Sequence, residues 1–146
     1  MEKHYEKAVK LFLNGRNCAQ AVVCAYAEDL GIDCETLLKL SSSFGGGMGR
    51  LREVCGAVSG MFMIAGLKKG YISISDEDKE KHYTLIQDLG HKFQDEHGSM
   101  ICRELLNLME HESSPKPTKR TENFYAERPC AKFIESACKI LDETIS

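Results

Sequence analysis

The run from Val54 to Leu67, VCGAVSGMFMIAGL, carries no charged residue over fourteen positions. A membrane span needs roughly twenty apolar residues, so this run is too short to cross a bilayer. It reads instead as a helix that is apolar on every side, and such a helix must be surrounded by other helices. Gly56 and Gly60 lie four apart, hence on one face, where their missing side chains let a neighbouring backbone come close.

The rest of the chain supplies the surrounding helices. Tyr5, Ala8, Val9 and Phe12 repeat at helical spacing until Asn14-Gly15. Asn17 reads as the N-cap of a second helix running to Leu30, with Ala21, Val22 and Ala25 facing inward and Gly31 as the breaker. Asp33 caps a third, CETLLKL. Ser75, followed three residues later by Asp78, opens a long helix to about His97 whose inner stripe is Tyr83, Ile86, Leu89 and Phe93. Gly98 ends it. Ser99 caps the next, with Ile101, Leu105 and Leu108 in register, and Pro129 takes the first position of a last helix to about Ile145. Between these stand two irregular stretches, SSSFGGGMGR at residues 41–50 and the polar, proline-bearing segment 112–123, an exposed loop or lid. No strand alternation and no repeat is present. The expected fold is all-α, one domain over residues 1–146, a compact bundle of about six or seven helices around a central apolar helix at 54–67.

Charge narrows the function. A net charge of −3 and a pI near 6.0 leave no basic footprint for nucleic acid or for insertion into acidic membranes. The N-terminus mixes charge with apolar residues from the outset, unlike a secretory signal, and a cytoplasmic protein is expected.

Seven cysteines then demand an explanation. A cytoplasmic setting keeps most thiols reduced, an odd number leaves at least one unpaired within the chain, and no Cys-x-x-Cys occurs. Their positions on the helix map are more telling. Cys18, Cys55, Cys102 and Cys130 all fall in expected first turns, where unpaired N–H groups and the helix dipole favour a thiolate. Cys34 falls in a first turn too, after Asp33, whereas Cys24 and Cys138 fall inside helices as core or surface thiols.

The segments GRNCAQAV, FGGGMGR, CGAVSG with AGLKKG after it, CRELL and PCAKFIESACKIL follow one another over nearly the whole chain. In this order they resemble the C_GCAxxG_C_C family of putative redox-active proteins. The resemblance puts the family's four cysteines on Cys18, Cys55, Cys102 and Cys130, leaves Cys24, Cys34 and Cys138 outside the pattern, and implies a small helical protein with redox-active or metal-binding cysteines.

Two chemistries suit four converging thiolates. In the first, a pair cycles between dithiol and disulfide, with Cys55 as the attacking thiol because the glycine-rich loop leaves room beside it. A redox partner protein or a small thiol would be the other party. In the second, the four ligate an iron–sulfur cluster or zinc. Gly45, Gly46 and Gly47 are the candidate cofactor-lining residues, in a loop that reads first as a turn shaping the cysteine pocket and lacks the lysine and the preceding strand of a phosphate loop. Arg50 or Arg52 would bring positive charge to a thiolate. None of the five histidines is assigned a role, and Met48, Met61 and Met63 read as core filler. A third reading is a non-catalytic module with structural cysteines that docks through Lys116, Lys119 and Arg120.

Overall fold

A computed structural model of the chain describes residues 2–107, 114–122, 124 and 129–145. Among them the chain forms α1 (His4–Leu13), α2 (Cys18–Cys24), α3 (Ala27–Leu30), α4 (Cys34–Ser41), a 3₁₀ turn (Ser42–Phe44), α5 (Gly56–Lys69), α6 (Asp76–His97), α7 (Cys102–Leu105) and α8 (Cys130–Thr144). No strand appears among the described residues. The fold is all-α, and α5 packs against α2, α6 and α8 as the expected central helix. Leu108, His111 and both ends of the 112–123 segment lie outside the described residues.

The closest pairing is that of α2 with α5, and its cause is the glycine pair. A side chain on Gly56 would stand 3.0 Å from Cys18 Cβ and 3.1 Å from Ala19 N, and one on Gly60 would stand 3.0 Å from Val22 Cβ. Both glycines face α2, so the backbones approach as only glycine permits. Around this seam the core is filled by Phe12, Tyr26, Leu37, Met61, Ile64 and Phe93, all essentially inaccessible.

Several element ends differ from the sequence expectation, each for a local reason. The second helix does not run unbroken to Leu30. Tyr26 N–H donates to the carbonyl of Val23, three residues back, which tightens the turn and separates α3 from α2. The turn seats Tyr26 in the core, where its hydroxyl donates to Asp142 at 2.9 Å with the Cys138 carbonyl at 3.2 Å. The central helix begins at Gly56 rather than Val54, because Val54 and Ile101 form an isolated antiparallel bridge and Cys55 N–H donates to Met100 O at 2.8 Å. The same bridge displaces the start of α7. Ser99 does not cap it; Ile101 takes the N-cap, and Cys102 N–H donates to Glu53 O at 2.6 Å. Pro129 is the N-cap of α8 rather than its first residue. Tyr83 is not part of the inner stripe of α6; it is exposed, and apolar burial on that helix starts with half-buried Leu85 and Ile86 and becomes complete at Leu89 and Phe93.

Candidate functional site

Each of the four cysteines sits at the start of a helix. Asn17 caps α2 through a reciprocal box with Gln20, its Oδ1 accepting from Gln20 N at 2.9 Å and its own N–H reaching Gln20 Oε1 at 3.2 Å. That places Cys18 at the first helical position. Cys130 holds the same position in α8. The bridge between Val54 and Ile101 does the rest. Residues on either side of a bridged pair point to the same face, so Cys55 and Cys102 emerge together from two segments that are far apart in sequence.

The four converge on one cavity of about 450 Å³. Cys18 and Cys130 are in hydrogen-bond contact with each other, Cys18 also interacts with Cys55 and Cys102, and Cys55 with Cys102 and Cys130. The glycine-rich loop forms one wall. Gly46, Gly47, Met48, Gly49 and Arg50 take left-handed backbone angles in succession, with φ between 57° and 73°, and Arg52 follows at 62°. Three of these six are not glycine, so the loop holds strain of about 1–3 kcal/mol at each. Gly47 shows what the conformation achieves. A Cβ there would stand 2.6 Å from Cys102 Cβ and 2.8 Å from Arg52 Cα. The loop thus lies directly against Cys102. Gly45 makes the same kind of room for Asn17 and Gly46 for Arg50. All three glycines line the cavity.

Electrostatics separates the cysteines. Burial pushes the Cys55 thiol up to about 12, and the nearby backbone N–H groups of Ala57 and Val58 at the helix start offset this only in part. Burial thus works against a Cys55 thiolate. Cys18 is also raised well above the ordinary thiol value, first by its hydrogen bond to Cys130 and then by burial. Cys102 has a different neighbour. The side chain of Arg52, only 2% exposed, reaches its sulfur with Nη1 at 3.8 Å. Arg52, one of the two arginines considered from sequence, thus meets a cysteine. Arg50 instead holds the roof, donating from Nε to Ser114 O at 2.9 Å and from Nη1 to Thr118 Oγ1 at 2.6 Å.

That roof is the described part of the proline-bearing segment, residues 114–122. Pro115, Pro117, Thr118 and Arg120 all line the cavity. Arg120 stacks over Phe12 at 4.5 Å and donates to the carbonyls of Phe12 and Arg16, while Lys116 and Lys119 are exposed to solvent.

One feature was not expected from the sequence. Cys24 and Cys34, read there as a helix thiol and a first-turn thiol outside the pattern, are joined in a disulfide with Cα atoms 5.5 Å apart. Their places at the end of α2 and the start of α4, ten residues apart across a glycine-terminated turn, were the available signal. Cys138 is buried in α8 with its thiol pushed up to about 12 by desolvation. Among the described residues, no three histidine, cysteine, aspartate or glutamate side chains stand together as a group able to hold a metal ion. No described helix is long and apolar enough to cross a membrane.

No curated protein and no solved structure matches the chain. A family model does, over residues 16–144, under the description "Putative redox-active protein (C_GCAxxG_C_C)". That span begins just before Cys18 and takes in the glycine loop, the bridge and all four cavity cysteines, and the chain belongs to the C_GCAxxG_C_C family.

Proposed function

We propose that the protein is a thiol–disulfide redox protein that works through its cavity cysteines. The observation that carries the reading is the guanidinium of Arg52 against Cys102, since a buried cation beside a sulfur favours the nucleophilic thiolate. Cys102 is then the attacking residue, in place of Cys55. Its thiolate attacks a substrate disulfide R–S–S–R, forming Cys102–S–S–R and releasing R–S⁻. Cys55, held as a thiol by burial until then, passes its proton to the released R–S⁻ and attacks the Cys102 sulfur as thiolate; a Cys55–Cys102 disulfide forms, and the second R–S⁻ leaves. The substrate gains two electrons and the protein loses two, and an external dithiol resets it. Cys18 and Cys130, already in contact, form a second dithiol in the same cavity.

A metal centre is the alternative, favoured by the convergence of four cysteines on one cavity, although no three of them stand together as a ready-made metal group. One experiment divides the two readings. Because Cys24–Cys34 would itself release two thiols on reduction, the count is made in a Cys24→Ser/Cys34→Ser variant purified without oxygen. Redox cycling predicts a colourless, metal-free protein that loses two or more thiols to a disulfide oxidant and regains them with dithiothreitol. Iron with acid-labile sulfide, or stoichiometric zinc, would overturn it.

A further inference from the structure

We infer that the disulfide this cavity accepts belongs to a low-molecular-weight compound with an apolar body, and not to a folded protein. The inference rests on the thiol redox reading above and adds the class of substrate.

The size limit comes from burial and from disulfide geometry. Cys55 is 5% exposed and Cys102 is 7% exposed. A disulfide joins Cα atoms about 4.4–6.8 Å apart, so a protein substrate would have to bring its own backbone that close to Cys102 during the exchange. The glycine loop occupies one side of Cys102 at contact distance, and the roof segment covers the cavity, tied down by the hydrogen bonds of Arg50 and Arg120 to protein groups. A polypeptide backbone reaching Cys102 from either of these sides would have to displace the loop or the roof. A cavity of about 450 Å³ is of the size that holds a small ligand.

The apolar character comes from the walls. Phe12, Phe124, Phe133, Leu105 and Leu106 face the cavity, with Pro115 and Pro117 above them. Phe124 also lies against Arg120, whose guanidinium stands 5.5 Å from its ring, so this wall and the roof are a single packed unit. Such a surface gains by covering a ring or an aliphatic chain and offers little to a strongly hydrated one.

The step is the one written above: one S–S bond breaks and one forms at each exchange, one R–SH and one R–S⁻ leave, and an external dithiol restores Cys55 and Cys102. The test uses the reduced Cys24→Ser/Cys34→Ser protein and three oxidants: 4,4′-dithiodipyridine, bis(2-hydroxyethyl) disulfide and insulin. Each rate is divided by that of the same oxidant with N-acetylcysteine, which removes intrinsic reactivity. The aromatic disulfide is expected to lead the hydroxyethyl compound at least tenfold and insulin at least a hundredfold. A Phe124→Ala/Arg120→Ala variant should shrink both ratios. Insulin reduced at a comparable normalised rate would overturn the size limit, and equal normalised rates for the two small disulfides would overturn the apolar preference; either result leaves the redox reading standing. If no cavity cysteine is consumed by any of the three, the redox reading falls and this inference falls with it.

Discussion

The cysteines of this protein form two sets that differ in how they are brought together. Cys24 and Cys34 are ten residues apart and meet because a short helix and a glycine turn the chain back on itself. Cys18, Cys55, Cys102 and Cys130 span most of the chain and meet only because a glycine seam, an isolated bridge and a strained loop are all in place. The local pair is joined covalently and contributes to stability. The distant four are buried in a cavity where every neighbour changes their chemistry. First-turn placement is therefore not enough to make a thiol reactive. Cys55 has that placement and is pushed up by burial, while Cys102 has a cation at its sulfur.

The strongest test of this division removes members of each set in turn. Cys102→Ser should lower the steady-state rate of small-disulfide reduction at least a hundredfold with dithiothreitol as electron source. Cys24→Ser/Cys34→Ser should keep that rate within about twofold. Comparable losses in the two variants would end the distinction. Next in size is the loop. Gly47→Ala places a Cβ against Cys102 and the Arg52 backbone at a φ of +73°, and should destabilise the protein by roughly 2–4 kcal/mol in chemical denaturation. Loss of the local disulfide should cost about 2–3 kcal/mol by freeing a ten-residue loop in the unfolded chain, read as a lower denaturation midpoint with unchanged redox kinetics.

The pH dependence of stability distinguishes the buried thiols. Cys55 and Cys138 are each raised from 9.0 to about 12. Between those values the unfolded chain has given up a proton that the folded protein keeps. Stability is therefore full below about pH 9 and falls as the pH rises towards 12, by up to roughly 1.4 kcal/mol per unit for each thiol. Urea midpoints from pH 8 to 11 would show the slope, and Cys138→Ala should remove its share. The smallest effect is expected far from both sets. Ile72 and Ile74 lie in the connection between α5 and α6 and are almost fully exposed, so Ile72→Ser should shift the stability by less than about 0.5 kcal/mol.

Much of this architecture was legible in the order of residues, because helices are specified by near neighbours. The charge-free run, the asparagine, aspartate and serine caps at Asn17, Asp33 and Ser75, and the glycine stops at Gly31 and Gly98 all act within a few residues of themselves. The pairing of Gly56 with Gly60 even anticipated that one face of α5 would meet a neighbouring backbone, which proved to be that of α2. The element ends that shifted did so where a distant segment intervened: the Val54–Ile101 bridge moved the starts of α5 and α7 because it took up backbone groups that a helix would otherwise use.

Periodicity, caps and glycines are short-range properties of the chain, and they were enough to set the all-α class, the central helix and the placement of cysteines at helix starts. Three outcomes lay beyond their reach: that four of those starts face one cavity, that Arg52 reaches the sulfur of Cys102, and that Cys55 is desolvated. These depend on burial and on through-space distance between residues far apart in sequence, and neither quantity is encoded in the spacing along any one helix.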